Sequence, residues 1–547
     1  MNSTQPRNVH QAIARALVDN GVDTIFGLMG DANMYMVDSF IRDCGGRFVS
    51  SANEAGAIMM ALGYATLSGK PGVCSVTHGP GLTNTITGIV EGVRGSVPLV
   101  LLCGDTDVVD RENLQSAPQR EFITDAGAGF EQLRSSKTVA EDVARVLRRA
   151  LVERRPIALN APMDLDWSPV EDYRPAHVRV PERRAVVTAS EDLDNAIGII
   201  AAARRPIILA GRGAATADAR EALIKLAARI EAPLITTLKA KDLFRGEAFN
   251  LGICGTVSTD AATEAMMTCD CLIAFGASLN KYTLSHGTFA KDKRIIQVNL
   301  EPTEVGKNLA VDAALVGDPA GVADLIVHWL DEAEIGGSGA RTQELRDAID
   351  ASIVERAPRS DHGDGTMDYK QSLLRLDELL PADRVVVTDG GRFMVEAWKT
   401  IGVSGPENFL TTINFASIGL GLPHAIGATF ARPGQPVVAL CGDGGFMNGG
   451  LAEFNTAVRH RTDLIVIVCN DGAYGAEHHK FLNRQMETGS IAFDWPDFAP
   501  VAIALGGDGI TVRSDEDWVL VAAALENRTR PLLIDLKLDP ERVPWDR

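Results

Sequence analysis

The sequence predicts an α/β protein made of three doubly wound parallel sheets. Apolar runs of strand length alternate with helix-length segments through most of the chain, and glycine-rich tight turns follow several of these runs. This alternation is typical of parallel sheets that carry helices on both faces. The chain has 547 residues, which is too many for one hydrophobic core and suggests about three domains.

The first domain is predicted to span residues 1–170. The turn after its first strand contains Asp31, and the second strand leads to Glu54 at the start of a helix of small residues. The third strand ends at His78. This succession predicts a doubly wound sheet with His78 at its carboxyl edge.

The second domain is predicted at residues 185–340, after a linker rich in proline and charge at about 167–184. The apolar runs PIILAG, PLITT, CLIAFGAS and RIIQVNLEP predict its strands. The turn Gly211-Arg212-Gly213 has only part of the glycine pattern of a dinucleotide site. We therefore interpret it as a structural tight turn, with binding of FAD or a nucleotide as the alternative.

The third domain is predicted at residues 366–547, after a second linker region between about 335 and 365. The strand QPVVAL leads to the turn that contains Asp443, a helix follows, and the strand LIVIVC ends before Asn470. In a right-handed βαβ unit both turns emerge at the same edge of the sheet, so we expect Asp443 and Asn470 to lie close together.

The side chains of Asp443 and Asn470 suit a metal bound to phosphate. A carboxylate, an amide oxygen and freed backbone carbonyls are oxygen ligands of the kind that Mg²⁺ prefers. The N–H groups of Gly444 and Gly445, at a helix start, can hold the phosphates. The alternative is an ordinary pair of turns with Asp and Asn at the surface.

The first and third domains resemble one another in sequence. The stretch ANEAGAIMMALGYATLSGKPGVCSVTHGPG parallels ASIGLGLPHAIGATFARPGQPVVALCGDGG. Each reads as a helix of small residues, a Gly/Pro turn, a buried strand and a glycine loop. This internal repeat predicts two related α/β domains in one chain.

Composition and charge exclude several classes of function. The net charge of −19 argues against nucleic acid or an anionic membrane as a partner. No apolar run approaches the length that spans a bilayer, and the polar start MNSTQPRN does not resemble a signal peptide. The eight cysteines are scattered in mostly apolar contexts, which predicts reduced, buried thiols and a cytoplasmic protein.

The GDG turn, followed at this spacing by Asn470 and then a glycine, resembles the signature of thiamine-diphosphate (ThDP) enzymes. The usual signature has two consecutive Asn, whereas this chain has Cys469-Asn470 and keeps the second position. The resemblance covers essentially the whole chain. It implies a pyrimidine-binding domain, a central domain and a diphosphate-binding domain, with Asp443, Asn470 and Gly472 as ligands of Mg²⁺.

The resemblance also assigns residues to the cofactor. Glu54 matches the glutamate that shares a proton with the pyrimidine ring, which requires a partly buried carboxyl group of raised pKa. The alternative for Glu54 is an acidic residue favoured by the helix dipole. Ile418 matches the apolar side chain between the two rings, and Ala416 would offer its backbone carbonyl. The remaining cofactor contacts implied are Gly390, Gly391, Arg392, Gly444, Gly445 and Tyr474; Arg392 could equally be a surface residue.

The catalytic residues implied on the substrate side form a mosaic of two groups. Asp31 lies in a turn similar to that of pyruvate decarboxylases, whereas Gln119 lies in a loop similar to that of acetolactate synthases. His78 stands where many relatives have Ser, and proton transfer or a hydrogen bond within its loop are equal alternatives. Glu477 is a candidate for the catalytic Glu that follows the metal loop, at a slightly longer spacing. An exposed helix face is expected for His478 and His479.

These features predict a ThDP- and Mg²⁺-dependent enzyme of the group formed by acetolactate synthase, pyruvate decarboxylase and benzoylformate decarboxylase. It would act on 2-oxo acids or related carbonyl compounds and form a carbanion–enamine by decarboxylation or C–C cleavage. The overall resemblance favours ligation to a second carbonyl, as in acetolactate synthases. A decarboxylase that releases an aldehyde, a 2-hydroxyacyl lyase, a non-catalytic homologue and a plain nucleotide-binding module are the alternatives.

Two further expectations concern FAD and self-association. The segment GASLNKYTL lacks the Arg usual in the FAD-binding loop of acetolactate synthases, which argues against FAD. Glu54 and Asp443 would bind opposite ends of one ThDP molecule. In this family that site lies between two subunits, so we expect a homodimer or a dimer of dimers.

Overall fold

The computed structural model describes residues 5–110, 112–180, 189–353 and 356–544. Outside these ranges lie the first residues of the polar N-terminus, residue 111, the end of the first predicted linker with the start of the predicted central domain, two residues of the second linker region, and the last three residues of the predicted third domain. The three sheets use residues 24–162, 206–316 and 385–537. The domain boundaries between them stay a prediction.

The N-terminal sheet has six strands in the order β2-β1-β3-β4-β6-β5, and every neighbouring pair is parallel. The strands are β1 (Thr24–Gly27), β2 (Arg47–Ser50), β3 (Gly72–Val76), β4 (Leu99–Asp105), β5 (Gly129–Gln132) and β6 (Pro156–Pro162). The helices are α1 (Val9–Asp19), α2 (Met34–Arg42), α3 (Glu54–Ser68), α4 (Pro80–Thr83), α5 (Ile86–Gly95), α6 (Gln119–Asp125) and α7 (Val139–Glu153).

The central sheet has the order β12-β11-β10-β7-β8-β9 and is also parallel throughout. Its strands are β7 (Pro206–Ala210), β8 (Leu234–Thr236), β9 (Asn250–Ile253), β10 (Cys271–Phe275), β11 (Arg294–Asn299) and β12 (Ala313–Val316). Its helices are α8 (Glu191–Ala202), α9 (Ala217–Arg229), α10 (Asp260–Thr268), α11 (Pro319–Glu332) and α12 (Gln343–Ala351).

The C-terminal sheet has the order β14-β13-β15-β16-β18-β17, again with parallel pairs only. Its strands are β13 (Val385–Thr388), β14 (Phe409–Thr411), β15 (Val437–Gly442), β16 (Leu464–Asn470), β17 (Asp508–Val512) and β18 (Leu532–Lys537). Its helices are α13 (Tyr369–Leu379), α14 (Met394–Thr400), α15 (Gly421–Ala431), α16 (Asp443–Gly445), α17 (Leu451–Arg459), α18 (Gly475–Asn483), α19 (Phe498–Ala504) and α20 (Trp518–Asn527), with a π-helical turn (Phe446–Gly450) between α16 and α17.

The strand orders confirm the predicted fold class of three parallel α/β sheets. The N-terminal and C-terminal sheets connect their six strands in the same spatial order, as the internal sequence repeat indicates. The central sheet instead has the order of a dinucleotide-binding fold, with its switch point between β7 and β10.

At that switch point the turns that follow β7 and β10 contact one another through their backbones. The N–H of Gly211 donates to Phe275, and the N–H of Gly213 donates to Gly276. A Cβ on Gly276, whose φ is +59°, would overlap the backbone of Gly213 and Ala214. This packing agrees with a structural tight turn at residues 211–213.

The N-terminal and C-terminal domains pack together through α3 and α15. Both helices are apolar on nearly all sides and buried along most of their length, as expected for helices inside a core. A Cβ on Gly63 would overlap the backbone carbonyl of His424, and one on Gly427 would overlap that of Met60. From the first contact to the second, the residue number falls in α3 and rises in α15, so the helices are antiparallel.

The contacts of α3 with α15 follow the internal repeat. The repeat aligns Gly63 with Gly427 and Met60 with His424. Gly63 contacts His424, and its counterpart Gly427 contacts Met60, which is the counterpart of His424. The two domains are related by an approximate twofold axis that passes between α3 and α15.

The cysteines and the lengths of the helices bear on two predictions from composition. All eight cysteines are free thiols, seven of them buried, which confirms that they are mostly buried and form no disulfide framework. In the described part of the chain, none of the helices is both long enough and apolar enough to cross a membrane.

Replacement of Gly63 by alanine tests the close approach of α3 and α15. Because the added methyl overlaps a backbone carbonyl, we expect the free energy of unfolding to fall by about 1–3 kcal/mol. Urea denaturation followed by tryptophan fluorescence measures the change. Gly198→Ala in α8 is the matched control, since its Cβ meets nothing within 4 Å and alanine favours helix by about 0.5–1 kcal/mol. Equal stability of the two variants would contradict the packing.

Candidate active site

Asp443 and Asn470 leave two adjacent strands at the same level. Gly442 pairs with Cys469 in the register of β15 and β16, so the two residues that follow them lie side by side at the carboxyl edge. Asp443 is buried. Its Oδ1 accepts the N–H of Gly444 at 2.9 Å. The predicted proximity of Asp443 and Asn470 therefore follows from the observed register.

The unused oxygens at this edge suit a hard cation. Asp443 Oδ2 is buried and has no hydrogen-bond partner within the described ranges. The side-chain amide nitrogen of Asn470 donates to Asp535 at 2.9 Å, which turns its amide oxygen away from that carboxylate. Burial, and then the neighbouring Asp471, raise the pKa of Asp443. A divalent cation would remove that cost by stabilising the anion.

The third predicted metal ligand, Gly472, adopts a left-handed conformation with φ of +63°. Its carbonyl accepts the N–H of Phe493 at 2.7 Å and keeps a second lone pair. The described residues contain no cluster of three or more His, Cys, Asp or Glu side chains that could hold a metal. A cation at Asp443 would therefore need amide, backbone or phosphate oxygens as well, as predicted.

Arg392 is buried beneath this edge, so the alternative of a surface residue is wrong. Its guanidinium donates to Asp471 at 2.8 Å, while its Nε is buried without a partner among the described residues. Gly391, the residue before Arg392, has φ of +152°, a conformation that favours glycine. Phe393, the residue after Arg392, is buried. An orphaned cationic donor near an orphaned carboxylate oxygen is the combination that a diphosphate with its metal would satisfy.

Tyr474 packs on the glycine turn that follows β15. A Cβ on Gly444 would lie 2.6 Å from the Tyr474 ring, so the glycine makes room for the aromatic side chain. Tyr474 also contacts Phe493 edge-on at a centroid distance of 4.8 Å, and Phe493 stacks on Trp495. Tyr474 itself is 38% exposed. Its contact with a cofactor stays a prediction.

Residues 414–421 form the loop that carries Ala416 and Ile418. Ala416 has φ of +64°, a conformation that costs an L-residue roughly 1–2 kcal/mol. The fully buried carboxylate of Asp389 accepts the N–H groups of Gly419, Leu420 and Gly421 at 2.7–3.2 Å. Burial raises the pKa of Asp389 to about 6, against the effect of these N–H groups. Asp389 thus fixes the loop at its C-terminal end.

Ile418 lies beside the predicted diphosphate loop. A Cβ on Gly390 would stand 3.8 Å from the Ile418 side chain and 3.5 Å from the Ser417 carbonyl. A Cβ on Gly445 would stand 2.5 Å from Asp389. The structure therefore brings together three stretches that the sequence predicted for the cofactor: residues 390–392 and 443–445 for its diphosphate, and residues 416–418 for its rings.

Glu54 is the first residue of α3 in the N-terminal domain. The helix is capped by Asn53, whose side chain accepts the N–H of Gly56 at 2.8 Å. Glu54 is buried, and its Oε2 accepts a hydrogen bond from the Asn84 side chain at 2.9 Å. Burial and a specific hydrogen bond distinguish this carboxyl group from an exposed acid that only offsets the helix dipole.

The turns of Asp31 and His78 meet through Thr77. Its Oγ1 accepts the N–H of Ala32 and lies within 3.4 Å of His78 Nδ1. Asp31 is exposed at this edge, whereas His78 is buried. The contact with Thr77 agrees with the alternative of a histidine hydrogen-bonded within its loop. A role of either residue in proton transfer stays a prediction.

Gln119 joins three strand ends of the N-terminal sheet. It is buried, its Oε1 accepts the N–H of Gly79, and its Nε2 donates to the Gly104 carbonyl and to Asn160, all at 2.7–2.8 Å. Both amide hydrogens are thereby bound within the protein. The structure gives Gln119 a positioning role here, and direct contact with substrate stays a prediction.

The residues after the metal loop divide between solvent and interior. Glu477 is exposed and forms a 3.4 Å ion pair with Lys480. His478 is buried with its Nδ1 unpartnered within the described ranges. His479 contacts Asn483. The expectation of an exposed helix face is therefore wrong for His478, because α18 turns that side chain inward.

The two halves of the site lie at opposite ends of the α3–α15 pair. Glu54 begins α3, and Ile418 precedes α15. Gly63 lies level with His424, and Met60 lies level with Gly427. In this antiparallel register Glu54 and Ile418 are separated by about fifteen residues of helix, or roughly 20 Å. Glu54 therefore cannot touch a cofactor held by Ile418 of the same chain.

Comparisons with known proteins agree with this geometry. Family models described as the N-terminal TPP binding domain, the central domain and the C-terminal TPP binding domain of thiamine pyrophosphate enzymes match residues 7–128, 193–326 and 389–536. The chain belongs to the thiamine pyrophosphate enzyme family. It is accordingly a ThDP-dependent enzyme of the lyase and carboligase type, similar to acetolactate synthases.

Several relatives of this ThDP enzyme match nearly its whole length. The acetolactate synthase isozyme 2 large subunit of Escherichia coli (strain K12) is 31% identical over 98% of this chain and 97% of its own length. The sulfoacetaldehyde acetyltransferase of Alcaligenes xylosoxydans xylosoxydans is 29% identical, over 93% and 88%. The acetolactate synthase of Mycobacterium leprae (strain TN) is 28% identical, over 98% and 88%.

Three polar residues next to the predicted ThDP contacts were missed by sequence reasoning. They are the buried residues Glu91 and Glu453 and the partner of Glu54, Asn84. Glu91 and Glu453 each interrupt an apolar helix, in the stretches TGIVEGV and GGLAEFN. A single acid on an otherwise apolar helix face was the available signal, although its partner could not be read from the sequence.

Replacement of Arg392 by methionine tests the buried ion pair. The variant leaves Asp471 buried without its cation, so the free energy of unfolding should fall by about 3–5 kcal/mol. It should also weaken binding of inorganic pyrophosphate with Mg²⁺, measured by isothermal titration calorimetry. Lys480→Met removes the exposed partner of Glu477 and should change stability by less than about 1 kcal/mol. Arg392→Met with the stability and pyrophosphate affinity of Lys480→Met would contradict this role.

Proposed function

We propose that this ThDP enzyme requires Mg²⁺ and acts on 2-oxo acids, cleaving a bond next to the carbonyl and ligating the product to a second carbonyl compound. The orphaned Asp443 Oδ2 carries the proposal, because a buried carboxylate oxygen beside a free amide oxygen calls for a hard cation. The orphaned Nε of Arg392 beneath the same edge supports a diphosphate there.

The residues present fit the two ends of ThDP. Asp443, Asn470 and the Gly472 carbonyl would bind Mg²⁺, and the N–H groups of Gly444 and Gly445 would hold the diphosphate. Bound ThDP supplies an electron sink for the carbon that loses its substituent. On the protein side, Ile418 would separate the two rings of the cofactor and the Ala416 carbonyl would orient the pyrimidine.

Glu54 would move the proton that activates the cofactor. Its carboxyl group, held by Asn84 at the start of α3, would share a proton with a pyrimidine ring nitrogen. Since Glu54 and Ile418 of one chain lie at opposite ends of the α3–α15 pair, we propose that Glu54 of one copy faces Asp443 of a second copy. The assembly is therefore at least a homodimer and is compatible with a dimer of dimers.

Ligation is favoured over simple decarboxylation by the relatives and by Gln119. Two of the relatives are named acetolactate synthase. The loop that carries Gln119 is similar to that of acetolactate synthases, and the buried amide of Gln119 holds the strand ends. Exposed Asp31 is the observation that favours the second candidate, a decarboxylase releasing an aldehyde. The name sulfoacetaldehyde acetyltransferase raises acetyl transfer as a further alternative, beside a 2-hydroxyacyl lyase.

FAD has no part in this proposal, because the segment GASLNKYTL lacks the Arg usual in the FAD-binding loop of acetolactate synthases. We also propose a cytoplasmic location, since eight free thiols suit a reducing compartment. Nucleic acid and membranes are not proposed as partners.

Turnover by the purified protein tests the proposed function. With ThDP and Mg²⁺ and a panel of 2-oxo acids, we expect CO₂ together with a ligated hydroxy-ketone product, and no turnover when ThDP is omitted. Glu54→Gln should lower kcat by about 10²–10⁴-fold, because the amide cannot take part in the proton transfer. Glu344→Gln on the surface of α12 is the matched control and should keep wild-type activity. Aldehyde as the main product would favour the decarboxylase, and full activity of Glu54→Gln would overturn the assignment.

A further inference from the structure

Two buried glutamates cross the interface between the N-terminal and C-terminal domains. Glu91 of α5 reaches the loop before α15, where its Oε1 accepts the backbone and side-chain N–H groups of Asn414 at 3.2 and 2.7 Å. Its Oε2 accepts the N–H of Phe415 at 2.6 Å. Glu91 is 3% exposed, so these bonds form away from water.

Glu453 of α17 makes the converse contact. Its carboxylate accepts the N–H of Ala52 at 3.1 and 3.2 Å and the N–H of Asn53 at 3.2 Å, directly before Glu54. The side chain is fully buried, and burial raises its pKa. A Cβ on Gly56 would overlap this carboxylate, so the glycine makes room for it.

The two contacts are counterparts under the approximate twofold axis. The internal repeat aligns Glu54 with Ile418. Glu453 holds residues 52–53, immediately before Glu54, and Glu91 holds residues 414–415, three and four residues before Ile418. Each glutamate also belongs to the opposite domain from the loop it holds. The arrangement is reciprocal, although the surrounding sequences of α5 and α17 differ.

We propose that Glu91 and Glu453 are a reciprocal pair of positioning residues that fix the two cofactor-facing loops of each chain from the opposite domain. Glu91 sets the loop of Ala416 and Ile418, and Glu453 sets the start of α3 and hence Glu54. The inference rests on the proposed cofactor roles of Ile418 and Glu54, and it adds residues that do not themselves touch the cofactor.

The loop held by Glu91 needs external support. Ala416 is held in the left-handed region. Asp389 accepts the N–H groups that follow Ile418 and the hydroxyl of Thr412, but it binds neither Asn414 nor Phe415. Glu91 accepts the N–H groups of Asn414 and Phe415, directly before Ala416. The central domain adds Lys239, whose Nζ donates to the Asn414 side chain at 2.6 Å. The loop is therefore fixed at both ends by buried carboxylates.

Hydrogen–deuterium exchange with Glu91→Gln and Glu453→Gln tests the clamps independently of the cofactor. In Glu91→Gln the single amide oxygen can face Asn414 or Phe415, and the N–H₂ then faces the other N–H. In Glu453→Gln the N–H₂ faces the N–H of Ala52 in either orientation, because that N–H lies near both carboxylate oxygens. Glu91→Gln should speed exchange at residues 414–415 by about tenfold or more and leave 52–53 unchanged, and Glu453→Gln should do the converse. Each variant is thus the control for the other.

Binding measurements then connect the clamps to the cofactor. We expect both variants to bind ThDP with Mg²⁺ about tenfold more weakly by calorimetry. Binding of inorganic pyrophosphate with Mg²⁺, which lacks the rings, should stay as in the wild type. Weaker binding of both ligands to the same extent would indicate a general structural defect and overturn the positioning role.

Failure of this inference is distinguishable from failure of the proposed function. If the wild-type protein does not bind ThDP, the proposed function fails whatever the exchange data show. If the wild type binds ThDP and both glutamine variants bind equally well with unchanged exchange, the positioning role fails. If a glutamine variant does not fold, the wild type decides: fast exchange at 52–53 and 414–415, at the rate of exposed loops, would overturn the proposal.

Discussion

The close antiparallel contact of α3 with α15 is the constraint on which the rest of the structure depends. Only glycine at positions 63 and 427 lets the two backbones approach so closely, and each glycine lies against the opposite helix's carbonyl. Because both helices start at the carboxyl edge of their own sheet, this contact directs the two edges away from each other. In the proposed function each chain therefore contributes two separate half-sites instead of one complete site.

Buried carboxylates fix the positions of the loops that precede α3 and α15. Asp389 holds the N-terminal residues of α15 from within its own domain, whereas Glu91 and Glu453 act across the domain interface. A buried carboxylate is costly unless N–H groups satisfy it, so these contacts have a strong geometric preference. Two of the unsatisfied buried groups in the described residues, Asp443 Oδ2 and Arg392 Nε, lie instead where metal and phosphate are expected.

Sequence reasoning predicted the parts of the site that local patterns specify. Asp443 and Asn470 follow buried strands, and Glu54 follows an N-cap, so their places at the sheet edges could be read from strand and turn signals alone. The burial of Arg392 and His478 could not be read from the sequence, because it depends on which face of a turn or helix packs inward. Glu91 and Glu453 act on loops more than 300 residues away in the chain, and no local pattern identifies such a partner.

Heterodimers of two inactive variants test the shared site most directly. Glu54→Gln and Asp443→Asn can be coexpressed with different affinity tags, and the mixed dimer purified over both. If each site combines Glu54 of one copy with Asp443 of another, the mixed dimer has one intact site and should regain about half of wild-type turnover, while each homodimer stays inactive. A mixed dimer as inactive as its parents would contradict a site shared between copies.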